Sequence, residues 1–256
     1  MYYIIFDLEF NQDFHSLSLP AERASQCPYE IIQIGAVKID EGFHTVAVFN
    51  RHIKSTIYLQ VSPLITDLTG ITTDQLQFAR PFQEVYQDFI EFICERTSVF
   101  CVWGMSDMKE LYRNTEFHNL NRKSLPELFI NLQPYTSSHL NLPQKKLLSL
   151  SSAVESLNIT TPYPFHNALN DALYTAEIFK RIMNPKITPK IYNPVASPAP
   201  YKSRQPKKVI DFERLLQQFE KMFARELSSE EQDMIKLAYQ MGRTNQFINV
   251  AGKQDP

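Results

Sequence analysis

The chain opens with an almost continuous run of apolar residues and then changes between a period of two and a helical period. Residues 2–8 read Tyr-Tyr-Ile-Ile-Phe-Asp-Leu, a pattern that predicts a strand buried on both faces. A second strand is predicted over 30–39, and the alternation over 45–53 predicts a third. The apolar stretch 99–103 predicts a further buried strand.

Apolar residues at helical spacing predict helices around and beyond these strands. One follows Pro81, because proline suits the first turn of a helix, and spans 82–93. Further helices are predicted over 107–112, 150–157 and 168–182. Strands first, and then helices interspersed with a strand, indicate a mixed α/β domain.

A proline-rich segment divides the chain. Six prolines lie within 184–208 with few large apolar residues between them, which favours an extended, semi-rigid linker. The predicted organisation is therefore a first domain over 1–183, this linker, and a helical extension over 209–256. In the extension, apolar residues keep helical spacing over 212–223, and a serine at 228 or 229 followed by Glu231 could cap a second helix.

Composition places the chain among globular proteins, with 43% hydrophobic and 21% charged residues in 256. Three cysteines, odd in number and far apart, indicate neither a disulfide framework nor a cysteine zinc site. The N-terminus lacks a basic, cleavable leader, and no segment approaches about 20 apolar residues. We therefore expect a cytoplasmic protein with no membrane insertion.

Charge is unevenly divided along the chain. Residues 1–182 hold 14 Lys and Arg against 20 Asp and Glu, whereas 183–256 hold 12 against 8. The basic end could supply phosphate affinity to an acidic body, because neutralised phosphates release counterions. An ordinary solvated basic linker explains the same charges.

Two short patterns carry candidate chemistry. Asp7 and Glu9 lie two residues apart on the first predicted strand, so both carboxylates project from one face. Hard divalent cations require such paired oxygen ligands. His166 stands at the start of the helix predicted over 168–182, and Asp171 lies in the first turns of that helix, where its carboxylate could reach a metal.

Each candidate also has a purely structural interpretation. Two acids spaced like Asp7 and Glu9 can belong to a solvated strand edge. Asp107 could cap its own helix, Asp171 could be an acid favoured by the helix dipole, and His166 could be a surface loop residue. All of these interpretations would have to hold at once to remove the site.

In order and spacing, these elements resemble the DEDDh (DnaQ-like) 3′-to-5′ exonucleases over about residues 1–182. The matching patterns are Asp7-x-Glu9, Glu30-Ile-Ile-Gln-Ile-Gly-Ala-Val, Thr69-Gly70-Ile71-Thr72, Asp107 and His166-x-x-x-x-Asp171. Within the family, Trp103-Gly104-x-x-Asp107 is most similar to the branch of Eri-type and KapD-like proteins.

The resemblance implies an α/β, RNase H-like fold, with a five-stranded mixed sheet flanked by helices and an active site at the edge of the sheet. It further implies two divalent metal ions, Mg²⁺ or Mn²⁺. Asp7 would bridge the ions, Glu9 and Asp171 would complete the ion on the nucleophile side, and Asp107 would act through waters of the other ion. Two ions roughly 3.5 to 4 Å apart can stabilise both the attacking and the leaving oxygen.

By the same resemblance, His166 would be the general base, and the products would be nucleoside 5′-monophosphates from the 3′ end of single-stranded RNA or DNA, with RNA slightly favoured. Neutral imidazole is abundant at physiological pH, which suits that role. Phe10 and Trp103 are candidates for stacking on bases, although residues beside buried strands are more often core residues. Phe10 also departs from the small residue or threonine of many family members, which puts substrate preference in doubt.

Two rival interpretations remain at this point. A DNA-trimming nuclease would use the same five residues. A regulatory or scaffold protein would keep the exonuclease fold as a binding surface and contact a protein partner through the C-terminal helices. Intact metal ligands favour the enzyme, because a scaffold has no reason to bury four acids together.

Overall fold

The computed structural model describes residues 1–12, 26–93, 97–143, 146–194 and 212–243. The chain forms two compact units, Met1–Pro200 and Tyr201–Pro256. The first unit contains a six-stranded sheet in the described residues. Its strands in chain order are β1 Tyr2–Asn11, β2 Glu30–Ile39, β3 Thr45–His52, β4 Ser98–Val102, β5 Leu128–Asn131 and β6 Lys190–Ile191.

The sheet is mixed and has β1 near its centre, in the spatial order β3, β2, β1, β4, β5, β6. Strand β1 pairs antiparallel with β2 and parallel with β4, and β5 continues the parallel part. This arrangement confirms the predicted α/β architecture. Four of the six strands lie where the sequence pattern predicts them: β1, β2 and β4 carry long or fully buried apolar runs, and β3 shows the alternation of an exposed strand.

The expected number of five strands is corrected to six. The additional strand, β6, has two residues and pairs Lys190 with Phe129 of β5. Both of its side chains are exposed, so the pairing rests on main-chain hydrogen bonds and leaves no hydrophobic pattern in the sequence. Residues 184–194, the start of the predicted linker, thus lie beside the sheet, while the domain boundaries themselves stay a prediction.

Helices cover both faces of the sheet. In chain order they are α1 Pro63–Thr69, α2 Thr73–Gln77, α3 Phe82–Ile93, α4 Ser106–Phe117, α5 Leu132–His139, α6 Leu150–Ser156 and α7 Ala168–Ile182, with a 3-10 turn at Arg122–Ser124. One face packs Phe6 of β1 against Phe89 and Phe100, and the opposite face packs Tyr3 against Phe179 of α7. Because successive side chains of β1 point to opposite faces of the sheet, the strand contributes to two hydrophobic cores.

The second unit contains two helices, α8 Phe212–Phe223 and α9 Ser229–Arg243. Ser228 is the residue that caps the second helix: the Glu231 N–H donates to its hydroxyl at 3.3 Å, and its own N–H donates to the Glu231 carboxylate at 2.9 Å. The predicted helical hairpin is therefore present, and a protein partner for it stays a prediction. No helix of the described residues is both long and apolar enough to cross a membrane.

Candidate active site

The first two candidate ligands lie on the central strand and face α7. Asp7 pairs with Gly35 of β2, and Glu9 pairs with Gln33. A bulge follows Glu9, and the strand continues to Asn11 instead of ending at residue 8 as predicted. Bulges change the direction of side chains beside active sites, and here the two acids precede it and stay on one face.

Gly35 allows helix α7 to reach the acids. A Cβ atom at this position would lie 2.1 Å from the carbonyl carbon of Ala168, so only glycine permits this approach. Beside it, the Gln33 carboxamide oxygen accepts the Ala168 N–H at 3.2 Å, and its amide nitrogen donates to Asn50 at 2.9 Å. The first turn of α7 is thereby fixed on β2, next to Asp7.

Three carboxylates meet where β1 and α7 come together. Asp7, Glu9 and Asp171 each offer an oxygen, and these atoms all lie within 4.8 Å of one another. Glu9 and Asp171 are each only 8% exposed. The Asp171 Oδ2 accepts the His166 N–H at 3.1 Å, whereas its buried Oδ1 has no hydrogen-bond partner among the described residues.

Asp107 approaches the same cluster from the first turn of α4 and is 6% exposed. It lies outside the group of three but is close enough for its charge to act on Asp7 and Asp171. The loop before it turns at Gly104, whose φ of 88° is in the left-handed region, and the Gly104 N–H donates to the Asn131 side chain at 3.1 Å. The end of β5 therefore positions the start of α4.

Burial raises the pKa of every acid in the site, and repulsion between the acids adds to this for Asp7, Glu9 and Asp107. Burial raises the pKa of Glu9 to about 8, with repulsion from Asp171 and Asp107 adding to it. Burial likewise raises the pKa of Asp107 to about 7 and that of Asp7 well above its ordinary value. The pKa of Asp171 is also raised by burial, which the hydrogen bond from His166 partly offsets. A positive charge beside these four acids would lower their pKa values and favour the ionised carboxylates.

His166 lies beside the cluster with its side chain exposed to solvent. Its φ of 63° places the backbone in the left-handed region, which is uncommon for a residue other than glycine. In this conformation its N–H reaches Asp171, and the imidazole remains free to approach a substrate from solvent. The structure thus brings all five predicted residues together beside the carboxyl-terminal half of the central strand β1.

The two aromatic candidates occupy different positions. Trp103 follows β4 and packs against the core on the α7 side, and its indole nitrogen is buried with no hydrogen-bond partner among the described residues. Phe10 packs against the core on the opposite face and makes an edge contact with Tyr29 at 6.1 Å between ring centroids. A role of either ring in base stacking stays a prediction.

Sequence reasoning missed two polar residues that position the site, Gln33 and Asn131. Both side chains accept a backbone N–H of the segment that carries an acid. Gln33 is completely buried in a strand that is otherwise apolar apart from its ends. A polar residue inside a buried strand must be hydrogen-bonded, and that was the available signal.

The site has the chemistry of a hard-cation centre. Its donors are carboxylate oxygens, which Mg²⁺ and Mn²⁺ prefer. The buried Oδ1 of Asp171, which has no partner within the described part of the chain, is an acceptor that a cation would satisfy. The residues present therefore fit divalent metal ions, with Asp7, Glu9 and Asp171 as the ligands closest together.

We expect divalent metal to stabilise this protein, and to do so more at pH 8 than at pH 6. The pKa values of Glu9 and Asp107 are raised to about 8 and about 7. Between about pH 4 and those values, the folded state therefore binds more protons than the unfolded state. Metal-free stability therefore falls as pH rises from about 4 to about 8 and then levels. A metal at 100 times its Kd adds about 2.7 kcal/mol.

Thermal unfolding with EDTA, Mg²⁺ or Mn²⁺ at pH 6 and pH 8 measures both effects. The control is KCl of equal ionic strength without divalent ions. The interpretation fails if the melting temperature of the metal-free protein is the same at both pH values and metal does not change it.

Comparison with known proteins defines the class. The family described as Exonuclease (RNase_T) matches residues 4–179. DNA polymerase III PolC-type of Thermotoga petrophila is 32% identical over 162 residues, 60% of this chain and 10% of that protein. The probable 3′-5′ exonuclease KapD of Bacillus subtilis is 24% identical over 61% of this chain and 75% of its own length. The chain thus spans only about a tenth of the polymerase relatives.

Solved structures share the fold. The nuclease domain of 3′hExo, a DEDDh family member bound to rAMP, has a TM-score of 0.62 at 22% identity over 75% of this chain and 96% of that one. Pop2p of S. pombe, in a form with bound Mg²⁺ and Mn²⁺, has a TM-score of 0.51 at 17% identity over 70% of this chain and 82% of that one.

The chain belongs to the family described as Exonuclease (RNase_T). This membership favours the enzyme over the scaffold protein.

Proposed function

We propose that this protein is a metal-dependent exonuclease that removes nucleoside 5′-monophosphates from the 3′ end of single-stranded nucleic acid, with RNA slightly preferred over DNA. The observation that carries the proposal is the meeting of three carboxylates, one half-buried and two buried, within 4.8 Å, with Asp107 and His166 beside them. Hydrolysis of a phosphodiester needs both a charge-neutralising centre and a proton acceptor, and this site would supply both.

The acids would hold two divalent ions, Mg²⁺ or Mn²⁺. Asp7 is central among the four acids, since its charge interacts with all three others, and it is the candidate for the shared ligand. Glu9 and Asp171 would complete one centre, and Asp107, which stands apart, would contribute to the other. The ions supply positive charge to the reacting phosphate and lower the pKa of an attacking water.

The chain itself supplies the proton acceptor and the geometry. His166 would accept the proton of the attacking water through its exposed imidazole. Its main-chain N–H donates to the Asp171 carboxylate, which holds the histidine beside the acids. Gln33 and Gly35 of β2 hold the start of α7 against that strand, next to Asp7 of β1, which fixes the distance between the acids and the base. Removal of the 3′ nucleotide then leaves a new 3′ hydroxyl for the next cycle.

The preference for RNA rests on related structures. One related structure holds rAMP, and another describes recognition of a histone mRNA stem-loop by a 3′-exonuclease at a TM-score of 0.61 and 20% identity over 74% of this chain and 84% of that one. The polymerase relatives point to DNA. A protein distinguishes the polymers through the 2′-hydroxyl, so the two can be separated by experiment.

The test is degradation of single-stranded RNA and DNA of equal sequence, labelled at either end, with Mg²⁺, Mn²⁺ or EDTA. We expect ladders that shorten from the 3′ end, release of 5′-monophosphates, no reaction in EDTA, and protection by a 3′-terminal phosphate. A folded, metal-loaded protein that cleaves neither polymer contradicts the enzyme and favours the scaffold protein. Equal or faster loss of DNA contradicts the RNA preference alone.

A further inference from the structure

The loop that carries His166 requires support from outside itself. Its histidine is exposed and has a left-handed backbone, a conformation that persists only when the surroundings hold it. Residues 160–164 before it are exposed as well, and they comprise two threonines, two prolines and a tyrosine, with no buried hydrophobic anchor among them. The position of the imidazole therefore depends on specific contacts made by the loop.

Tyr174, in the second turn of α7, makes the principal contact. Its hydroxyl donates to the Tyr163 carbonyl at 2.6 Å and accepts the Tyr163 N–H at 3.0 Å. One hydroxyl thus satisfies both main-chain groups of a residue three positions before His166. The Tyr174 ring is 3% exposed and packs on Phe165 with 4.8 Å between centroids, so its hydroxyl has a fixed place.

Two further contacts join the loop to the same helix. The Asn170 side chain donates to the Pro164 carbonyl at 2.9 Å, and the His166 N–H donates to Asp171 at 3.1 Å. All of these anchors come from α7, the helix that carries the metal-ligand candidate Asp171. The base and the acid are therefore fixed to one rigid element, and their relative position does not depend on the flexibility of the loop.

We propose that Tyr174 is a positioning residue for the nuclease reaction and acts by holding the His166 loop against α7. The ring is buried and has no route to the substrate, so it acts only through the histidine. This inference rests on the proposed function, in which His166 is the general base. It assigns to Tyr174 a role that its hydrophobic environment in the α7 core does not require.

The test is Tyr174→Phe, which removes one oxygen atom and keeps the ring. Loss of the hydroxyl leaves both main-chain groups of Tyr163 without their partner, and the loop then samples positions away from the substrate. We expect kcat to fall about tenfold with KM changed less than about twofold, because misplacement of a catalytic group affects the reacting geometry rather than binding.

The matched control is Tyr86→Phe. Tyr86 is also buried, and its hydroxyl donates to a main-chain carbonyl, that of Asn121, at 2.8 Å. It lies on α3, in the core on the opposite face of the sheet. The control therefore removes the same atom and the same kind of hydrogen bond, and its kcat should equal that of the wild type.

A double-mutant cycle with His166→Ala separates positioning from a general structural effect. If Tyr174 acts through the imidazole, Tyr174→Phe should lower kcat in the wild type and leave kcat unchanged in the His166→Ala background. A loss of the same factor in both backgrounds overturns the inference. So does a wild-type kcat in the Tyr174→Phe variant.

A variant that fails to fold is replaced by Asn170→Ala, which removes the second anchor of the loop through a half-buried side chain. The same cycle then applies, with the same two outcomes. If the wild type shortens the substrate but the two substitutions lower kcat independently, the inference about Tyr174 is wrong and the proposed function stands. Absence of trimming by the folded, metal-loaded wild type overturns the proposed function, and the inference with it.

Discussion

Asp7→Asn is expected to abolish metal-dependent cleavage and, at the same time, to raise the melting temperature of the metal-free protein. The carboxylate of the half-buried Asp7 is repelled by the charges of Asp107, Glu9 and Asp171, so an uncharged amide relieves repulsion throughout the cluster. The same change removes the ligand shared by the proposed ions. We expect kcat/KM to fall at least about a thousandfold, since metal ions contribute several kcal/mol to such reactions.

The two effects are measured on one preparation, by single-turnover cleavage with Mg²⁺ and by thermal unfolding in EDTA. Each kcal/mol of relieved repulsion should raise the melting temperature by about 2–4 °C. Asp40→Asn is the control: that acid is exposed, and the His44 N–H lowers its pKa, so its substitution should not raise the melting temperature. A less stable metal-free Asp7→Asn protein would contradict the proposed repulsion in the site.

Gly35→Ala is expected to cause the second largest loss. The new methyl group would stand 2.1 Å from main-chain atoms of Ala168, which are not free to move without the helix. The start of α7 must then shift away from β2, and Asp171 and His166 shift with it. A displacement of about 1 Å is enough to cost on the order of a hundredfold in rate.

Gly42→Ala is the matched control for this substitution. A Cβ atom there would lie 3.0 Å from the ring of His44, an exposed side chain that can turn away. Cleavage rate and melting temperature should both fall for Gly35→Ala and stay at wild-type values for Gly42→Ala. Wild-type cleavage by Gly35→Ala would show that α7 need not contact β2 at that position.

Much of the site could be predicted because its residues stand on elements with strong patterns. Asp7 and Glu9 lie on a strand with a long apolar run, and the helix that carries Asp171 begins and ends where the apolar spacing predicts. The close contact between segments distant in sequence could not be predicted. Gly35 and Ala168 are far apart in sequence, and neither has a side chain that indicates their contact.

Short and half-buried elements also escaped prediction for a physical reason. Strand β5 has four residues, of which only Ile130 is buried, so its hydrophobic pattern is too short to show a period. Helices α1 and α2 have seven and five residues, with one buried side chain each. Their stability comes from tertiary contacts and caps such as Thr72, whose hydroxyl accepts the Gln75 N–H at 3.3 Å.

The alternation of side chains along β1 determines what a shift in the register of this strand would do to the protein. Phe6 and Leu8 enter one core, while Ile5 enters the other and is followed on that face by Asp7 and Glu9. Sliding the strand by one residue would force both acids among aromatic rings and expose two large apolar side chains. Such a chain could not remain folded, so an inactive protein with a slipped strand should never accumulate beside the active one.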